Sequence, residues 1–146
     1  CENPVGDAPD PRAFTTMTAG LSGAWVDPST PGQGWLFAVV QAAEVLFAAG
    51  FTFAEPSDNK IGAGDQRWMT AQGSALGVES ELMISRTSGG EFDAPQSVST
   101  TNVGRGTVPF LSCTEAIFDF ELDSGEAGSV PLSRLAPDVF CEALTR

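Results

Sequence analysis

Carboxylates are the reactive groups that this chain holds in quantity: 19 Asp and Glu against seven Lys and Arg, with no histidine in 146 residues. Two acids facing one another across a cleft can hydrolyse a glycosidic bond when the environment raises the pKa of one of them. Here the acids are scattered over turns and along one face of a single segment, Glu115, Asp119, Glu121 and Asp123, and no pair is singled out. The missing histidine removes the Ser-His and Cys-His nucleophile pairs and the usual zinc and haem ligands. Ser22, Ser88 and Ser124 each precede a glycine and read as turn residues, because no G-x-S-x-G elbow surrounds them. The expectation is therefore no catalytic residue, no cofactor and no enzyme.

Two other sets could carry chemistry. Between Glu55 and Asp65 lie Ser57, Asp58, Asn59, Gly62 and Gly64, an oxygen-rich stretch. Its Asp58, Asn59 and Asp65 form a weak calcium candidate; they match no EF-hand spacing, and a solvated turn has the same composition. The cysteines are three: Cys1, Cys113 and Cys141. The last two bracket a C-terminal hairpin region, and a disulfide between them would contribute about 3.5 kcal/mol by loop-closure entropy. The alternative is a pair of buried thiols, which the oxidising compartments of secreted domains disfavour.

These residues must be positioned by strands. From Leu21 onward apolar and polar residues alternate with period two, punctuated by turns every eight to fifteen residues. The pattern predicts eight strands: Gly23 to Val26, Gly34 to Gln41, Val45 to Phe53, Gln66 to Gln72, Glu79 to Ser85, Val103 to Leu111, Glu115 to Asp123 and Gly128 to Leu135. Pro109 argues for an edge or a bulge in the sixth. The seventh alternates most cleanly, with Ala116, Phe118, Phe120 and Leu122 opposite the acids named above. Short links favour an antiparallel up-and-down barrel, which leaves no free edge, over a two-layer β-sandwich. At most one helical turn is expected, between Ala136 and Thr145. Residues 1–18, interrupted by Pro4, Pro9 and Pro11, read as a tether captured by a subunit or by the domain itself; 19–146 form one β domain.

A net charge of −12 repels phosphate backbones, so nucleic acid is excluded as an electrostatic partner. No apolar stretch is long enough to span a bilayer as a helix, and attachment to a membrane is expected only through Cys1.

Three resemblances follow. A chain beginning at Cys1 resembles a processed bacterial lipoprotein, whose first cysteine carries the lipid. Gly23-Ala24-Trp25 is similar to the G-x-W signature of lipocalin and avidin barrels, which implies a Trp plugging the closed end. Over most of the chain, Gly23-x-Trp25-x-Asp27-Pro28, Gly32-x-Gly34, Phe51-Thr52-Phe53, Trp68-Met69, Gly128, Leu132-x-Arg134-Leu135 and a late cysteine resemble a β module of secreted proteins and lipoproteins of Gram-negative bacteria. The chain departs from that module in having Met69 where Leu is usual and in having no Tyr. The module implies a fold and a cell-envelope or extracellular location, anchored at the outer membrane, and no chemistry.

Trp25, Trp35 and Trp68 are the candidate ligand cup, against the simpler role of core residues. Leu36, Ala38 and Val40, or their neighbours on the opposite face, must point outward, and outward apolar area on adjacent strands marks a contact surface. Arg105 and Arg134 are expected at the surface offsetting acids or at a subunit contact. The expected function is a non-enzymatic structural or interaction subunit with protein partners, self-association included. The alternatives are a calycin-like barrel for a small ligand and an inhibitor of a cationic cell-wall hydrolase.

Overall fold

The computed structural model describes residues 14–54, 66–136 and 139–144. Its strands are β1 (Gly23–Val26), β2 (Gly34–Val40), β3 (Val45–Phe53), β4 (Gln66–Ser74), β5 (Glu79–Ser88), β6 (Ser99–Pro109), β7 (Glu115–Leu122) and β8 (Ala127–Arg134). Every strand pairs antiparallel with the next, and β8 returns to β1 through Trp25↔Arg134 and Val26↔Ser133. The result is the closed up-and-down barrel that the alternation predicts. A six-residue helix, α1 (Val139–Leu144), follows β8.

Period two sorts the side chains as expected. On β7, Ala116, Phe118 and Leu122 are buried while Glu115, Asp119 and Glu121 are exposed. On β3, Leu46, Ala48 and Gly50 face inward and Phe47 and Phe51 face out. Two expectations need correction. The strands β5 and β6 run beyond Ser85 and start before Val103, held by Ser85 Oγ donating to Asn102 Oδ1 at 2.9 Å and by a Thr87–Thr100 hydroxyl contact at 2.8 Å. That extension is polar on both faces, so no greasy rhythm marks it. The ladder irregularity falls between Ile84 and Ser85, where Val103 is the extra residue, while Pro109 merely ends β6 opposite Glu79.

The residues just before the 3-10 turn at Ala19–Leu21 lie against the barrel. Thr15 N donates to Phe110 O at 2.7 Å, Met17 N donates to Gly77 O at 2.8 Å, and the Met17 side chain is buried. Residues 1–13, Cys1 among them, lie outside the described residues.

One end of the barrel is sealed. A 3-10 turn, Ala19–Leu21, crosses it and places Leu21 over the core. Beneath it, fully buried Trp25 meets Phe37 and Phe110 edge to face, with ring centroids 6.2 and 5.5 Å away. Trp25 Nε1 donates to Leu21 O at 3.0 Å, which satisfies an indole N–H that burial would otherwise strand.

Arg134, at the end of β8, lies 5.5 Å from the Trp25 ring centre and donates to Gly20 O at 2.6 Å and to Ser22 O. It ties the last strand to the 3-10 turn and to the first strand. These backbone contacts come in addition to any role of Arg134 in offsetting acids. Arg134→Met keeps the aliphatic stem and removes the charge-assisted bonds to Gly20 O and Ser22 O and the longer one to Cys113 O; a loss of about 2 kcal/mol is expected, read as a lower urea midpoint at unchanged slope.

Candidate functional site

The aromatic residues form a column that runs up the inside of the barrel. Trp35 stacks near Phe37 at 6.5 Å, Phe118 leans on Trp35 at 4.6 Å, and Phe120 follows Phe118 at 6.2 Å. Below Trp35 the side chains of Trp25, Phe37, Val108 and Phe110 are buried. Above it the column occupies one wall, and a cavity of about 370 Å³ opens beside it. Its floor and walls are apolar, from Trp35, Met69, Ile84, Phe118, Val130 and Leu132. An eight-stranded barrel has room for its own side chains or for one small ligand; here side chains occupy the end around Trp25 and the cavity lies towards the other end.

Glycine makes the cavity wall possible at one point. A Cβ on Gly50 would stand 2.6 Å from the Trp35 ring, so only glycine lets the indole lie flat against β3. The large ring therefore lines the space instead of crossing it.

The mouth is polar. The β1–β2 turn is tightened by Asp27 Oδ1, which accepts from Ser29 N at 2.9 Å and Ser29 Oγ at 2.7 Å. Behind it, Thr52 Oγ1 donates to Gln33 Oε1 at 2.6 Å, joining that turn to the end of β3. Arg86, half-buried on β5, and exposed Glu126 border the same opening. An apolar chamber with a few polar groups at its lip suits a molecule with a greasy body and a polar end. Among the described residues no group of His, Cys, Asp or Glu is arranged to hold a metal ion.

The candidates from sequence separate. Of the three tryptophans, Trp35 alone lines the cavity; Trp25 is the plug of the sealed end, and Trp68 stands on the outside, 51% exposed. The three do not line one cup: Trp68 shares its outward phase with Thr70 while Met69 and Ala71 take the interior. Leu36 and Val40 are exposed and Ala38 is half-buried on the outer face of β2, with Phe37 and Val39 inside. Cys113 and Cys141 are joined by a disulfide. Asp58, Asn59 and Asp65 lie outside the described residues. No helix among the described residues is long and apolar enough to cross a membrane.

Arg86, Gln33 and Thr52 escaped the sequence reading. For Arg86 the signal exists: Leu82, Ile84 and Arg86 continue one inward phase, which the early end assigned to β5 cut short. Gln33 is a turn residue, and nothing in its neighbours marks it.

No family model matches the chain, and neither a curated protein nor a solved structure matches it.

Proposed function

We propose that this protein is a non-enzymatic carrier or sensor that holds one small, mainly apolar molecule in the open half of a calycin-like barrel. The observation that carries the reading is the 370 Å³ cavity between the aromatic column and β3, closed below by Trp25 and ringed above by polar groups. Its size falls at the small end of ligand pockets, so a compact ligand fits better than a long-chain lipid. The Cys113–Cys141 bridge supports an oxidising compartment, and a lipidated Cys1 would place the barrel at the cell envelope.

The test is titration with phenylnaphthylamine, an uncharged apolar probe, followed by its own emission and by quenching of Trp35. Saturable one-to-one binding is expected. Val130→Trp fills the cavity from the β8 side and is expected to weaken binding at least tenfold while leaving thermal stability within a few degrees. Binding that is unchanged in this variant places the probe elsewhere and removes the proposal.

A second reading, an interaction subunit of an envelope assembly, is favoured by the apolar outer face of β2 and β3, where Leu36, Val40, Phe47 and Phe51 are 40–50% exposed. The two readings are compatible, since one uses the inside of the barrel and the other its outside.

A further inference from the structure

We infer that two copies of this chain associate face to face through the outer surface of β2–β4, about a two-fold axis running along β3. The outward positions of these strands carry no charged side chain, although 26 of the 146 residues of the protein are charged. Leu36, Val40, Phe47, Phe51, Trp68 and, on the adjoining β5, Met83 are 40–57% exposed. Taking about 200 Å² for a whole large side chain, they present on the order of 600 Å² of apolar surface. That is the upper end of what a monomer normally leaves in water, and two such faces reach about 1,200 Å², the lower end of a stable specific interface.

The shape of the face indicates that its occupant is a second copy. Over Gly34 the surface is dented by about 310 Å³, between Ala24, Val26, Leu36 and Phe51. No larger residue fits at its floor, because a Cβ on Gly34 would stand 2.9 Å from both Trp25 O and Val26 Cγ1. Trp68 is the matching knob. Register places both in one cross-strand row, Gly34↔Phe51 and Phe51↔Trp68, so dent and knob flank β3 by one strand each. A half-turn about an axis along β3 lays β2 of each copy over β4 of the other, and each Trp68 then faces the other copy's dent. The contact is self-complementary and closes at two. It also suits the charge of the protein. Two molecules of net charge −12 repel one another, and this is a face on which they meet without burying like charges.

Sedimentation equilibrium of the full chain between about 1 and 100 µM is expected to show a monomer–dimer equilibrium. Trp68→Glu is expected to raise the dissociation constant at least thirtyfold, the loss typical of a central aromatic anchor, and Trp68→Phe to stay within about threefold of the parent. Leu36→Lys, a replacement at another half-exposed site, repeats the first result independently of any effect of Trp68 on folding.

The axis has its own readout. In a Cys1→Ser background, Ala49→Cys lies on the outward face of β3, next to the axis. A bismaleimide reaching about 10 Å, the spacing of facing sheets, should link it to its own copy, while Thr101→Cys on β6 should remain unlinked. A monomer throughout the concentration range overturns the inference. So does an undiminished dimer in Trp68→Glu, or cross-linking at Thr101→Cys as efficient as at Ala49→Cys.

Discussion

Trp25→Ala should destabilise the barrel by about 3–5 kcal/mol, the range for emptying the site of a fully enclosed large aromatic. Trp25 has no exposed surface, and its two edge-to-face partners, Phe37 and Phe110, also touch each other at 5.5 Å. Removing the indole thus opens a void at the centre of a three-ring cluster that cannot collapse without moving two strands. The same change releases Leu21 O from its indole donor and takes the ring from beneath Arg134, so the 3-10 turn and the end of β8 loosen together. In urea the midpoint should fall by roughly 2 M, at a slope of about 2 kcal/mol/M. Trp25→Phe separates the causes. It keeps most of the apolar contact and loses the N–H, so a cost of about 1–1.5 kcal/mol is expected. Trp68→Ala, on the outer face, should cost the monomer less than about 1 kcal/mol. Equal losses at Trp25 and Trp68 would show that Trp25 is not the plug.

Breaking the disulfide should have the next largest effect. Cys113 and Cys141 are 28 residues apart, and the loop they close contains β7 and β8, the strands that complete the barrel against β1. Chain entropy alone assigns about 3.5 kcal/mol to a loop of that length. In a domain of about 150 residues this corresponds to a melting temperature lower by roughly 10 °C. The double variant Cys113→Ser/Cys141→Ser is the cleaner measurement, because both cysteines are buried and a reductant reaches them only after opening.

A local consequence accompanies the global one. Cys141 sits in α1, and its backbone lies so close to the 3-10 turn that a Cβ on Gly20 would stand 2.6 Å from Cys141 Cα. Six residues make too short a helix to persist undocked. Amide exchange across Val139–Leu144 should therefore rise by orders of magnitude in the double variant, while β3 and β4 change only with global stability. Protected α1 amides in that variant would mean that packing, and not the bridge, holds the C-terminus.

Both effects arise at the sealed end, where the fold is most constrained, and the proposed ligand chamber occupies the other half. The division has a physical basis. Trp25, Leu21 and Phe110 are fully buried and hold the barrel's closure, which leaves the upper interior free to keep unfilled space. Gly50 and the aromatic column then shape that space.

The strand pattern was legible in the amino acids because alternation reports which side of a sheet is wet. Glu115–Leu122 carries that signal at full strength, Val45–Phe53 is legible instead as a continuous apolar run, and the Cys113–Cys141 pairing followed from count and position. The polar extension of β5 and β6 was not legible, since a ribbon exposed on both faces has no rhythm to read. Nor was the site. A cavity is the space that residues far apart in the chain fail to fill: Trp35, Ile84, Phe118 and Val130 border it from four strands, and none of them differs in type from a core residue. The three tryptophans show the limit most plainly. Sequence placed each in a strand, but closure of the barrel made one a plug, one a chamber wall and one an outer knob, because phase and height along the barrel axis depend on register, which belongs to the assembled sheet.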